Sequence, residues 1–120
     1  MFFLALGQET GLFGDFVYEG SNYGIKDPTE SDIRRVIAAI AKGEQDLAIL
    51  IKDDDENTYL QTADGGRGKL LLEYQDGSLD QHYGATKRDL TASQVIDTFL
   101  AYMRGETGWK GQFVWEKMNF

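Results

Sequence analysis

The chain has 120 residues, a net charge of −8, 42% hydrophobic and 27% charged residues, and no cysteine. That length fits one domain with a buried core, and the balance of apolar and charged residues argues against disorder over most of it. The charge opposes nucleic acid and anionic membrane surfaces and favours a basic partner, and the missing cysteines exclude a disulfide framework, a thiolate zinc site and a cysteine nucleophile.

The opening Met1-Phe2-Phe3-Leu4-Ala5-Leu6 is apolar, but it is too short for a membrane span and lacks the basic start of a signal peptide. It reads as an edge strand or packed terminus of a cytoplasmic protein. Residues Gly7 to Gly24 include five glycines, counting both ends, with a short strand expected over Asp15-Phe16-Val17-Tyr18-Glu19. Their spacing matches neither phosphate-binding glycine motif, so they read as turn formers.

Asp27-Pro28-Thr29-Glu30 reads as a helix start, with Asp27 as cap, Pro28 in the first helical position and Glu30 completing a capping box. Ile33, Val36, Ile37 and Ile40 then recur at helical spacing, Arg34 and Arg35 point to solvent, and Gly43 ends the helix.

From Leu47 the pattern changes to a β-meander with runs at Leu47–Ile51, Tyr59–Ala63, Lys69–Gln75 and Leu79–Tyr83. The first run is apolar on both parities, as in a central strand. In the later runs Leu70, Leu72 and Tyr74 form an apolar face opposite Leu71, Glu73 and Gln75, so one side packs on helices and the other is partly open. Asp76-Gly77 predicts a tight type I′ hairpin between the third and fourth runs.

Thr91 and Gln94 predict a second capping box, with Leu90 and Val95 as its hydrophobic staple; Val95, Phe99, Tyr102 and Met103 supply the buried stripe and Gly105 the stop. Gly111–Glu116 alternates as a closing strand. Helices separated by an uninterrupted run of strands imply a single α+β domain over residues 1–120, with a mostly antiparallel sheet of about five to six strands and two helices packed on one face.

The search for chemistry yields little. His82 is the only imidazole, with Asp80 two residues away, yet no nucleophile-elbow motif accompanies it and a half-exposed strand histidine accounts for it. Asp53-Asp54-Asp55-Glu56-Asn57 places oxygens at calcium-loop spacing, but Thr58 stands where that loop needs glycine, so a solvated turn is expected and no metal or cofactor site is assigned. Gly65-Gly66-Arg67-Gly68-Lys69 reads as a hairpin loop in preference to an RNA-binding segment. Of the two tryptophans, Trp115 alternates with Phe113 as a core residue and Trp109 is the interface candidate.

Several of these segments together, Leu72-Glu73-Tyr74-Gln75-Asp76-Gly77 with His82-Tyr83, Val95-Ile96-Asp97-Thr98-Phe99 with Leu100-Ala101-Tyr102, and the terminal Trp115-Glu116, resemble the small α+β immunity proteins encoded beside bacterial polymorphic toxins. The likeness is to the class numbered first among them, whose members include inhibitors of nucleic-acid deaminase toxins. Thr107-Gly108-Trp109-Lys110 stands where that family often carries a proline. The resemblance implies a non-enzymatic inhibitor that covers the active site or substrate groove of a basic cognate toxin. On that reading Asp53, Asp54, Asp55, Glu56 and Asp80 steer association and Trp109 anchors it. Two other classes stay open: a small enzyme built around Glu73 and His82, and an accessory subunit with a large exposed apolar face.

Overall fold

A computed structural model of the chain describes residues 1–7 and 24–119. The strand expected over Asp15–Glu19, like the glycines between Gly7 and Gly24, lies outside them. Seven strands form one sheet: β1 (Phe2–Gly7), β2 (Gly24–Lys26), β3 (Leu47–Lys52), β4 (Asp55–Gly66), β5 (Lys69–Asp76), β6 (His82–Ala85) and β7 (Trp115–Lys117). Their spatial order is β2-β1-β3-β4-β5-β6-β7 and every pairing is antiparallel. Two helices, α1 (Glu30–Ala41) and α2 (Ala92–Met103), complete an α+β fold. The sheet exceeds the expected five to six strands because the three-residue β2, which the sequence pattern did not announce, extends one edge. The opening segment is not an edge strand; β1 lies between β2 and β3.

Cross-strand register sorts the side chains onto two faces. Leu4, Leu50, Leu60, Tyr74 and Tyr83 stand opposite one another in one row, and Thr62 and Leu72 in the next. This face meets Ile33, Val36, Ile37 and Ile40 of α1 and Val95, Phe99 and Leu100 of α2, forming one core in which most of these side chains are fully buried. The other face carries Phe3, Ile51, Tyr59, Gln75 and His82 in one row and Ala5, Ile49, Gln61, Glu73 and Gly84 in the next.

Both helices are stopped as their glycines predict. Gly43 and Gly105 take positive φ, and the last two turns close with the paired 6→1 and 5→2 hydrogen bonds of a Schellman motif. Thr91 and Gln94 form the expected box, and the stapling pair Leu90 and Val95 is fully buried. The first helix starts later than predicted. Its cap is Thr29, boxed with Asp32, while Asp27 has φ of +49° and continues the β1–β2 ladder by donating its N–H to the Phe2 carbonyl.

The turns moved more than the strands. The residues of positive φ at the centre of a tight hairpin are Arg67 and Gly68, where Gly66 pairs with Lys69. After Asp76 the chain instead makes a 3-10 turn at Leu79–Gln81, so Gln75 pairs with His82 where a two-residue turn would pair it with Ser78. The run expected as a strand from Leu79 therefore begins at His82. Likewise, Gly108–Gln112 is a 3-10 segment and only Trp115–Lys117 of the closing run is strand.

Candidate functional site

Antiparallel geometry brings two loops to the same end of the sheet. The β3–β4 turn holds Asp53 and Asp54, with Lys52 paired to Asp55, and the β5–β6 loop holds Asp76 and Asp80. The β4–β5 ladder holds this end together: the Gly77 N–H and the Gln75 Nε2 both donate to the Asn57 carbonyl at the start of β4, at 3.2 and 3.0 Å. Asp53, Asp54, Glu56, Asp76 and Asp80 are exposed and Asp55 is half-buried, so six carboxylates occupy one pole of the molecule.

Some of them have local work. The Asp53 carboxylate accepts from the Met1 ammonium at 2.7 Å, and this bond, reinforced by Asp27 and Asp54, holds the terminal amine above its ordinary pKa of 8.0. Asp55 accepts from the Thr58 hydroxyl at 2.7 Å and the Asn57 N–H at 3.0 Å, which keep its carboxyl below the usual 3.8. These bonds shape the turn. Asp54, Glu56, Asp76 and Asp80 make no ion pair among the described residues and face solvent. No group of three or more His, Asp or Glu side chains among the described residues is arranged to hold a metal ion.

The structure separates Trp109 from this role as a projecting anchor. Its ring is only 4% exposed, packed edge-on against Tyr74 at 5.2 Å and Tyr102 at 5.7 Å, whereas Trp115 is half-buried at the sheet edge. The expected division between the two tryptophans is reversed, because the 3-10 segment folds Trp109 inward beneath α2. Its ring instead lines a cleft of about 350 Å³ at the acidic pole, with Phe2, Tyr74, Tyr102, Asp76 and Lys110. Leu79, expected on a strand, is 59% exposed on the 3-10 turn beside Asp80, and is the apolar projection that sequence patterning missed.

A second constellation lies on the sheet face away from the helices. His82 is 3% exposed, not half-exposed, and its carboxylate partner is Glu73 and not Asp80. Its Nε2 donates to Glu73 Oε1 at 2.7 Å and its Nδ1 stands 2.9 Å from Gln75 Oε1. That amide is oriented by Nε2 donating to Asn57, and its oxygen also accepts from the Tyr59 hydroxyl at 3.1 Å; Gln61 Nε2 donates to Glu73 Oε1 at 3.0 Å. Each ring nitrogen thus faces an oxygen acceptor. The row Tyr59–Gln75–His82 runs across three strands at one register, so the network ties β4, β5 and β6 together.

Chemically this network is closed. Burial, with Glu73 nearby, pushes the Tyr59 hydroxyl above its ordinary pKa of 10.0, so it is a poor base or nucleophile at neutral pH. Glu73 also borders a cleft of about 440 Å³ with Gly84, Arg88, Glu116, Lys117 and Met118, whereas the His82 imidazole is 3% exposed and has a side-chain oxygen within hydrogen-bonding distance of each ring nitrogen. No family model, curated protein or solved structure matches the chain.

Proposed function

We propose that the chain is an immunity-type inhibitor which, in the cytoplasm, covers the basic groove of a toxin with its acidic pole and carries out no reaction. The observation that carries this reading is the convergence of Asp53, Asp54, Asp55, Glu56, Asp76 and Asp80 on two neighbouring turns and the strand ends that flank them, at one end of the sheet. A toxin acting on nucleic acid needs a cationic groove, and a carboxylate array held on a rigid sheet end occupies such a groove while excluding its polyanionic substrate. The exposed Leu79 supplies an apolar contact inside the charged patch, in keeping with interfaces that combine a desolvated centre with a charged rim. Against a catalytic role for His82 and Glu73 stands the burial of the imidazole, which is 3% exposed among its side-chain partners. The accessory-subunit reading requires a large apolar face; among the described residues the exposed large hydrophobics are Met1, Leu79 and Val114.

The test begins with the neighbouring gene. A toxin domain encoded there is expressed in a sensitive host with and without this chain. Restored growth and recovery of the two proteins as a stoichiometric complex are the expected result. Unrelieved toxicity with no complex formed would overturn the proposal.

A further inference from the structure

The cleft at the acidic pole has features that packing alone does not account for. The Tyr102 hydroxyl is buried at the atomic level and has no hydrogen-bond partner among the described residues, an arrangement that is rare in folded proteins because a lone buried polar group is costly. Its walls are the faces and edges of Phe2, Tyr74, Tyr102 and Trp109, and they already hold a cation: the Lys110 ammonium lies 5.0 Å from the Tyr74 ring centre and 5.6 Å from that of Trp109.

The local field has the same preference. Burial, with the nearby charges of Asp76 and Asp55, holds the pKa of the Tyr102 hydroxyl far above that of a free phenol. Of the other bases bordering the cleft, Arg104 lies 3.6 Å from Glu30, and Lys52 stands opposite Asp55 in the β3–β4 ladder, where its charge adds to the hydrogen bonds that lower the Asp55 pKa. Asp76, on the cleft's rim, has no ion pair among the described residues.

We propose that this cleft receives an arginine side chain of the partner protein, its guanidinium stacked on the Tyr74 ring beside Trp109, reaching the Tyr102 hydroxyl as the Lys110 side chain is displaced, and neutralised by Asp76. This rests on the inhibitor reading and names what the acidic pole grips. A planar guanidinium with several donors can stack and bond to the hydroxyl at once, whereas an ammonium such as that of Lys110 rests on the rings as a point charge. The Lys110 side chain is then an internal stand-in that the arginine displaces.

N-acetyl-arginine amide titrated into the intact chain, followed by NMR at the Trp109 indole and the Tyr102 ring, tests this without the partner. Saturable binding in the millimolar range is expected, with the neutral isostere N-acetyl-citrulline amide at least about tenfold weaker. Asp76→Asn and Tyr102→Phe should each weaken it about threefold or more, and Lys110→Met should tighten it by a similar factor because the competing cation is gone. Equal binding of the citrulline or lysine derivative, non-saturable shifts, or an unchanged affinity in Lys110→Met would overturn the assignment. A toxin domain that binds while the arginine probe does not sinks this inference alone. A probe that binds while the toxin domain does not sinks the inhibitor reading and leaves the cleft's chemistry standing.

Discussion

Replacing Tyr102 by phenylalanine should make the protein more stable. The hydroxyl oxygen is buried without a partner, and leaving such a group unsatisfied typically costs about 1 to 3 kcal/mol. Phenylalanine keeps the ring contacts with Phe2 at 5.8 Å and Trp109 at 5.7 Å, so no cavity opens beyond the lost oxygen. Because the ring as a whole is half-buried, the lower part of the range applies, and a gain of about 1 kcal/mol is expected. For a chain of this length that corresponds to a rise of about 4 °C in melting temperature. Urea and thermal unfolding of both proteins at neutral pH measure it, with unchanged urea m-values indicating that the same surface is being exposed. A loss of 1 kcal/mol or more would refute the reasoning, since it would mean that the hydroxyl is bonded in the folded state. A gain in stability accompanied by weaker arginine binding is the signature of a group retained for contact at the expense of the fold.

Other consequences follow from the geometry. His82→Ala strands Glu73 and Gln75 in the network and should lower stability by about 2 to 3 kcal/mol in urea unfolding; a change below about 0.5 kcal/mol would show that the row contributes nothing net. Thr29→Ala should cost about 1 kcal/mol through loss of the helix cap, while Asp27→Gly should be neutral or stabilising because Asp27 holds positive φ outside the helix; the reverse order would restore Asp27 as the cap. The Asp32 and Asp55 carboxyls are both held below their ordinary value of 3.8, Asp32 by the Thr29 N–H and hydroxyl and Asp55 by Thr58 and Asn57. A depressed folded-state pKa gives stability that is present above 3.8 and disappears as pH falls through the folded value, so Asp55→Asn should lose less stability than the parent between pH 5 and pH 2 on acid titration. An identical acid profile for the two proteins would contradict this.

The architecture was legible where a periodic pattern and a local cap agree. The alternation of Leu70, Leu72 and Tyr74 against Leu71, Glu73 and Gln75 fixed which face of β5 meets the helices, and Thr91 with Gln94 marked the start of α2 to the residue. Thr29 was missed because aspartate in place of glutamate or glutamine closes its box, and because Asp27-Pro28 offers a stronger local signal. Asp76-Gly77 failed as a hairpin predictor because Gly77 is drawn to Asn57 on the neighbouring turn, a contact between residues distant in sequence.

That contact is also what made the site partly illegible. The acidic residues could be read singly, but their meeting at one pole depends on the β5–β6 register, and so does the pairing of His82 with Glu73 and Gln75. The position of Trp109 in a loop before the closing strand suggests an interface role; its burial depends on how the 3-10 segment folds beneath α2, which no periodicity encodes. The cleft beside it is built from β1, β5, α2 and that segment, and none of its four rings is adjacent to another in sequence.

The central claim is that the acidic pole works by capturing a basic protein. Stopped-flow association of the neighbouring-gene toxin domain tests it most directly, comparing the parent with a variant carrying Asp53→Asn, Asp54→Asn, Asp55→Asn and Glu56→Gln, which moves the net charge from −8 to −4. With a Debye length of about 30 Å at 0.01 M salt and about 8 Å at 0.15 M, the parent should associate on the order of tenfold faster at low salt and about twofold to threefold faster at 0.15 M. Equal rates and equal salt slopes for the two proteins would contradict the account.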